Sequence, residues 1–285
     1  MHSVFRCCVL AEACKAPPII GFLLFHLKSY TCAQHMPSRA NFDTRHIQQF
    51  SNKPVVEQQL VQAFFGGRKG FYVDVGANDP VLDSQSQHLE ALGWTGLLIE
   101  PDPDCCELLR QTRTGTVVEM ACSSPHNAGK QLLLNRAGPH STLEQHPIAL
   151  GAVVRSTVAV QCETLDTILR SHRVAEQFDL LSIDIEGHEM VALSGFSFSV
   201  WRPRLVLIED HVTHLQKHQL MQRSSYQLLM RTGLNSWYVP EEQSYTFSRM
   251  ARFECFRKYY LGLLLRKFRY ARESMPNEER PQKHP

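Results

Sequence analysis

Phe71-Tyr72-Val73-Asp74-Val75 runs directly into Gly76-Ala77-Asn78-Asp79-Pro80. The first five residues are apolar or β-branched around a single acid, which is the composition of a short buried strand. The next five are turn formers, and Gly76 supplies the freedom for a tight exit. Ser84 to Leu92 then suits a helix closed by Gly93, and Gly96-Leu97-Leu98-Ile99-Glu100 repeats the strand pattern. Strand, helix and strand in that order predict a parallel pair with its crossover on one face of a sheet.

The alternation extends in both directions. Upstream, apolar residues at 56, 60, 61, 64 and 65 predict a helix from Val55 to Phe65, ended by Gly66-Gly67. Downstream, a helix over Pro101–Gln111 and a strand over Thr116–Ala121 follow. Lys130–Leu134 and Ser156–Cys162 are strand-like with no long helix between them, so they read as an antiparallel insertion. A helix begins at Leu165 behind Thr164, a strand covers Phe178–Ile183, a helix Gly187–Leu193 and a strand Leu205–Ile208. Gln216–Arg231 reads as one helix stopped at Gly233, and Trp237-Tyr238-Val239 as a late edge strand. The whole is an α/β, doubly wound, mostly parallel sheet with helices on both faces.

Composition agrees. The chain has 285 residues, 43% hydrophobic and 20% charged, which fits a globular protein of one large domain and excludes a disordered chain. No apolar run reaches the roughly 20 residues of a membrane-spanning helix. Nine cysteines, an odd number with no C-x-x-C pair, argue against zinc and disulfide frameworks and for reduced thiols in a cytoplasmic chain. Ile19–Leu27 has the apolar core of a signal peptide, but His26 and Pro17-Pro18 fit that reading poorly. The net charge of +2 hides a division. Residues 249–285 carry ten Lys/Arg against four Asp/Glu, which leaves the first 248 residues at −4. The expected organisation is an N-terminal extension over 1–54, a catalytic-type domain over 55–248 and a basic helix and tail over 249–285.

Ligands of doubly wound sheets bind at the carboxyl ends of the strands. Here those ends carry Asp74-Val75-Gly76, Glu100, Asp184 and Glu209-Asp210. Acids at buried strand ends are costly without a partner, and a bound ligand is one such partner. Gly76-Ala77-Asn78 lacks the second glycine of a dinucleotide fingerprint, and no phosphate-binding Gly-Lys-Ser/Thr occurs, so a nucleoside without a pyrophosphate is the better fit. Glu100, 26 residues past Asp74, has the chemistry to accept hydrogen bonds from ribose hydroxyls. Strand periodicity puts Asp184 and Glu186 on one face as the chain leaves the sheet.

Taken in order, Val73-Asp74-Val75-Gly76-Ala77-Asn78, Ile99-Glu100-Pro101-Asp102, Glu163-Thr164-Leu165-Asp166, Ile183-Asp184-Ile185-Glu186-Gly187-His188-Glu189 and Arg202-Pro203-Arg204 before Glu209 resemble the FkbM family of S-adenosylmethionine-dependent methyltransferases. The resemblance implies a class I methyltransferase fold, Rossmann-like with seven strands, and methyl transfer to a hydroxyl of a sugar, glycoconjugate or secondary metabolite. It implies that Asp74, Gly76 and Asn78 line the methionine end of S-adenosyl-L-methionine, that Glu100 holds its ribose, that Ser123 lies near the adenine and that Asp184 stands at the reaction end. Pro80 and Ser182 depart from the residues common in the family. The rival is a non-catalytic protein that keeps the fold for binding or trafficking.

An aliphatic hydroxyl needs a base or a metal to become nucleophilic. The candidate bases are Asp184, Glu186 and His211. A metal, Mg²⁺ on Asp184, Glu209 and Asp210, is the less favoured alternative. From Cys255 to Arg272, six basic residues meet no acid and alternate with Leu, Phe and Tyr. Such a segment either packs its apolar face on the domain or touches a membrane surface. No nucleic-acid motif is present.

Overall fold

The computed structural model describes residues 54–145, 152–243, 253, 255–263 and 265–267. The Ile19–Leu27 segment lies outside them. Ten strands and six α-helices are described: α1 (Pro54–Phe64), β1 (Phe71–Val75), α2 (Gln87–Glu90), β2 (Thr95–Glu100), α3 (Pro103–Thr112), β3 (Thr116–Glu119), β4 (Ala121–Cys122), β5 (Gln131–Arg136), β6 (Ser156–Glu163), α4 (Leu165–Ser171), β7 (Leu180–Ile183), α5 (Glu189–Leu193), β8 (Leu205–Glu209), α6 (Gln216–Arg223), β9 (Tyr226–Thr232) and β10 (Asn235–Pro240).

Seven strands form one sheet in the order β3-β2-β1-β7-β8-β10-β9. All its pairs are parallel except those made by β10, which runs antiparallel to β8 and β9. This is the class I methyltransferase arrangement. Alternation splits the apolar residues between two faces. Val73, Val75, Leu97, Ile99, Leu181, Ile183, Val206 and Ile208 pack with Ile168, Leu169 and Ala192 of α4 and α5. Tyr72, Leu98, Leu180, Leu205 and Leu207 pack with Leu60 and Val61 of α1. Both faces are therefore covered, as continuous apolar strands require. The insertion is a second sheet, β4-β6-β5, with β5 antiparallel to β6.

Several local expectations are corrected. The helix expected over Gln216–Arg231 ends at Arg223, and the chain reverses at Ser224-Ser225, where Ser225 has φ +57. Tyr226–Thr232 is a strand, because pairing with β10 satisfies its backbone in a way the helical spacing of its leucines does not reveal. Gly233 is thus a hairpin turn and not a helix stop. The strand around Trp237 lies between β8 and β9, inside the sheet. The helix over Ser84–Leu92 shortens to Gln87–Glu90, and the strand over Thr116–Ala121 divides between the two sheets.

Strand order reverses between β1 and β7, so the connections leaving their carboxyl ends run to opposite faces of the sheet and leave a crevice. Among the described residues, no helix is long and apolar enough to cross a membrane.

Candidate active site

The chain turns sharply after β1. Gly76 has φ +87, and its N–H donates to the Ile99 carbonyl at 2.9 Å, which ties the turn to β2. Asn78 follows with φ +45, a conformation asparagine tolerates better than most residues. The Asn78 N–H donates to Glu100 Oε2 at 2.8 Å, and the Asp102 N–H donates to Oε1 at 2.9 Å. Glu100 is buried, and burial pushes its carboxyl up to about 7 even though both N–H groups pull it down. A carboxylate has lone pairs beyond the two used here, so Glu100 can still accept from a ligand.

Asp74 ends β1 fully inside the protein. Ser86 Oγ donates to its Oδ2 at 2.5 Å. Behind Ser86 lies Arg113, whose guanidinium donates to Ser86 Oγ at 2.8 Å and Ser84 Oγ at 3.0 Å and pairs with Glu90 at 3.0 Å. Burial raises the Asp74 carboxyl, opposed by Ser86 and Arg113. This network fixes one wall of the crevice.

The opposite wall is the end of β7. Asp184 N–H donates to the Val75 carbonyl at 3.0 Å, and the chain then reverses through Glu186 at φ +52 and Gly187 at φ +101. Glu189, 1% exposed, closes this turn by accepting the Gly187 N–H at 2.8 Å. Its other oxygen accepts from Lys217 Nζ at 2.8 Å, and the same ammonium donates to the Glu209 carbonyl at 2.6 Å. The lysine thereby pins the ends of β7 and β8 together.

Three carboxyl groups meet at this end. Burial, together with Glu209, Glu186 and Glu189, raises Asp184 well above its ordinary value. Burial pushes Glu209 up, but His211 at 3.3 Å and Lys217 outweigh it and hold Glu209 below its usual value. Pairing with Glu209 in turn raises His211. Burial and Glu209 raise Glu186, opposed by His140, whose Nδ1 lies 2.9 Å from Glu186 Oε1.

The loop after β5 covers the crevice. Thr142 Oγ1 donates to the Glu186 carbonyl at 2.9 Å and clamps the loop to the β7 turn. Glu144 Oε1 lies 2.7 Å from His188 Nδ1, and His188 Nε2 lies 3.1 Å from Ser123 Oγ. The cavity measures about 250 Å³. Asp74, Gly76, Asn78, Glu100, Asp184, Glu186 and Glu209 line it, with Ile99, Met120 and Leu143 as apolar wall.

Three sequence-derived candidates do not line it. Ser123 is buried against His188 and Asn127, and its neighbour Cys122 forms the wall instead. His211 stands behind Glu209. Asp210 points to the other side of β8, as strand alternation requires, where its carboxylate accepts the Val212 N–H at 2.9 Å and the Tyr259 hydroxyl at 3.2 Å. The Asp184, Glu209 and Asp210 metal set is therefore not assembled. The group that could offer ligand atoms to a cation is Glu186, Glu209 and His211, with those atoms within 4.8 Å of one another.

The sequence model described as the methyltransferase FkbM domain matches residues 74–253, more than half of the chain and all of the strand ends just described. The chain belongs to the FkbM methyltransferase domain family. No curated protein matches it. Methyltransferase FkbM from Methylobacillus flagellatus KT, a crystal structure, is similar at a TM-score of 0.38 and 15% identity, over 70% of this chain and 58% of that one. The chain thus spans less than two thirds of that protein's length.

In this FkbM domain several residues that shape the cavity escaped the sequence reading. Arg113, His140, Thr142, Glu144 and Lys217 come from α6, the insertion and the stretch after α3, far in sequence from the strand ends they support. Glu189 carried a signal, since it closed the acidic motif on β7, but its role as a buried clamp needs Lys217 to be visible.

Proposed function

We propose that this protein transfers the methyl group of S-adenosylmethionine to a hydroxyl oxygen of a sugar-like or other small-molecule acceptor. One observation carries the reading. A single cavity joins a buried carboxylate suited to vicinal hydroxyls, Glu100, to an acidic end that holds Asp184, Glu186 and Glu209, with apolar wall between. That donor set fits the cofactor: Glu100 would hold the ribose, Ile99 and Met120 would flank the adenine, and the turn at Gly76–Asn78 with Asp74 would take the methionine end.

The cofactor supplies an electrophilic methyl on sulfur. The chain's own work is to align the acceptor oxygen, keep water out and remove a proton. Glu186 is the base in this reading, because it lines the cavity and its other contact, His140, stabilises its charged form. Asp184, whose carboxyl is pushed up by burial and hydrogen-bonded to Glu209, orients the acceptor rather than taking its proton. Thr142 and the loop around it exclude water. The transfer needs no metal in this reading, because His211 lies against Glu209 and His140 against Glu186, so each carboxylate already has a partner.

Calorimetric titration of the full chain with S-adenosylmethionine and with NAD tests the cofactor. Binding of the first and not the second is expected; the reverse, or neither, ends the proposal. Activity lost on EDTA dialysis and restored by a divalent cation would overturn the metal-free part alone.

A further inference from the structure

The basic tail could either pack its apolar face on the domain or present it. The structure separates these. Tyr259 is 1% exposed, and its hydroxyl joins Asp210, Ser236 and Tyr238. Arg266 Nε donates to the Val212 carbonyl at 3.1 Å. These two residues, seven apart, fasten the segment to the domain. Several apolar residues of the segment are exposed: Phe253, Phe256, Tyr260 and Leu261 are each at least half exposed, and Leu265 is 75% exposed; Phe256 and Tyr260 also border a concavity against Tyr226 and Leu228 of β9. Arg257–Leu261 form a π-helical turn, and the Phe256 and Tyr260 rings lie 5.5 Å apart, tilted by 31°. Arg257 and Lys267 are exposed among them.

We propose that residues 253–267 dock the protein onto an anionic lipid surface. Exposed aromatics and leucines gain by leaving water for the acyl boundary, and the interleaved cations meet anionic headgroups. A nucleic-acid backbone would use the cations and leave the apolar residues in water. The docked segment is fastened through Tyr259 to Asp210, the neighbour of cavity-lining Glu209, so the acidic end of the cavity is mechanically tied to the membrane-facing element. The proposal stands independently of the methyl-transfer reading.

Flotation of the full chain with phosphatidylcholine vesicles, with and without about one quarter phosphatidylserine, tests it. Flotation only with the anionic vesicles is expected, weakening with salt. Arg257→Gln with Lys267→Gln should reduce partitioning about thirtyfold, and Phe256→Ser with Tyr260→Ser should reduce it by at least tenfold. Circular dichroism of each variant confirms that it remains folded. No flotation, equal flotation on neutral vesicles, or folded variants that float like the natural chain would each overturn the proposal, whatever protein or nucleic acid the segment binds.

Discussion

The Cβ that Gly76 lacks would fall 1.9 Å from the carbonyl oxygen of Asp184. The two strand ends that frame the cavity therefore touch backbone to backbone, and any side chain at position 76 drives them apart. The backbone there also sits at φ +87, which disfavours an L side chain independently of space. Gly76→Ala should cost roughly 2–5 kcal/mol of stability from overpacking and strain together. It should also abolish cofactor binding under conditions where the variant remains folded. Urea unfolding and calorimetric titration read the two effects. A variant with natural stability would mean that the contact relaxes at no cost.

Lys217 holds Glu189 and the Glu209 carbonyl with one ammonium, while Glu189 is almost wholly buried. Removing one member of a buried pair leaves the other charge uncompensated, which typically costs about 3–5 kcal/mol. Lys217→Met should show a loss of that size, whereas Lys217→Arg should recover part of it. Both should leave the Glu100 end of the cavity unchanged. Stability curves for the three proteins check this; equal stability of Lys217→Met and the natural chain would show that the pair contributes nothing.

The main frame of this fold is legible from a few segments. Phe71–Val75, Gly96–Glu100, Phe178–Ile183 and Leu205–Ile208 are apolar on both faces, and the turns after them carry acids, so the sheet centre and the site's position follow from pattern alone. The periphery is less readable. Leu220, Met221, Leu228, Leu229 and Met230 keep a helix-like spacing across Ser224-Ser225, and only the pairing of β9 with β10 overrides it. Side-chain direction at a strand end is also decided by one residue: Glu209 and Asp210 are adjacent acids, yet one lines the cavity and the other joins Tyr259 and Arg231 on the far side. The covering loop with His140 and Thr142 has no pattern of its own, because its place is set by contacts to the β7 turn.

Glu100 links stability and ligand affinity to pH. Burial raises its folded value to about 7, while in the unfolded chain glutamate titrates near 4.3. Between these values the folded protein holds a proton that the unfolded chain has released. The contribution of Glu100 therefore falls as pH rises from about 4.3 to 7, and above 7 the charged group costs about 4 kcal/mol. Ligand hydroxyls that donate to the charged form reverse this. Affinity for S-adenosylmethionine should rise with pH up to 7, by at most about tenfold per pH unit, and then level off. Glu100→Gln should flatten that rise. Titrations between pH 5 and 8 decide it; a pH-independent affinity in the natural protein would separate Glu100 from the ligand.

Glu186 offers the sharpest test of the chemistry. It lines the cavity, its backbone is fixed by Thr142, and its carboxylate touches His140 and no structural N–H of the turn, whose closure belongs to Glu189. Glu186→Gln keeps the shape and the φ +52 backbone but removes the ability to take a proton. General base catalysis typically contributes 10²–10⁴-fold, so turnover should fall by about that factor while cofactor affinity stays within about threefold. Asp184→Asn provides the contrast. A neutral amide replaces a carboxyl that burial and its acidic neighbours already push toward the neutral form, so turnover should fall by no more than about tenfold, the size of a single lost orienting hydrogen bond. Single-turnover rates and titrations on both variants separate the two roles. If Asp184→Asn lost the larger factor and Glu186→Gln the smaller, the proton would leave through Asp184 instead.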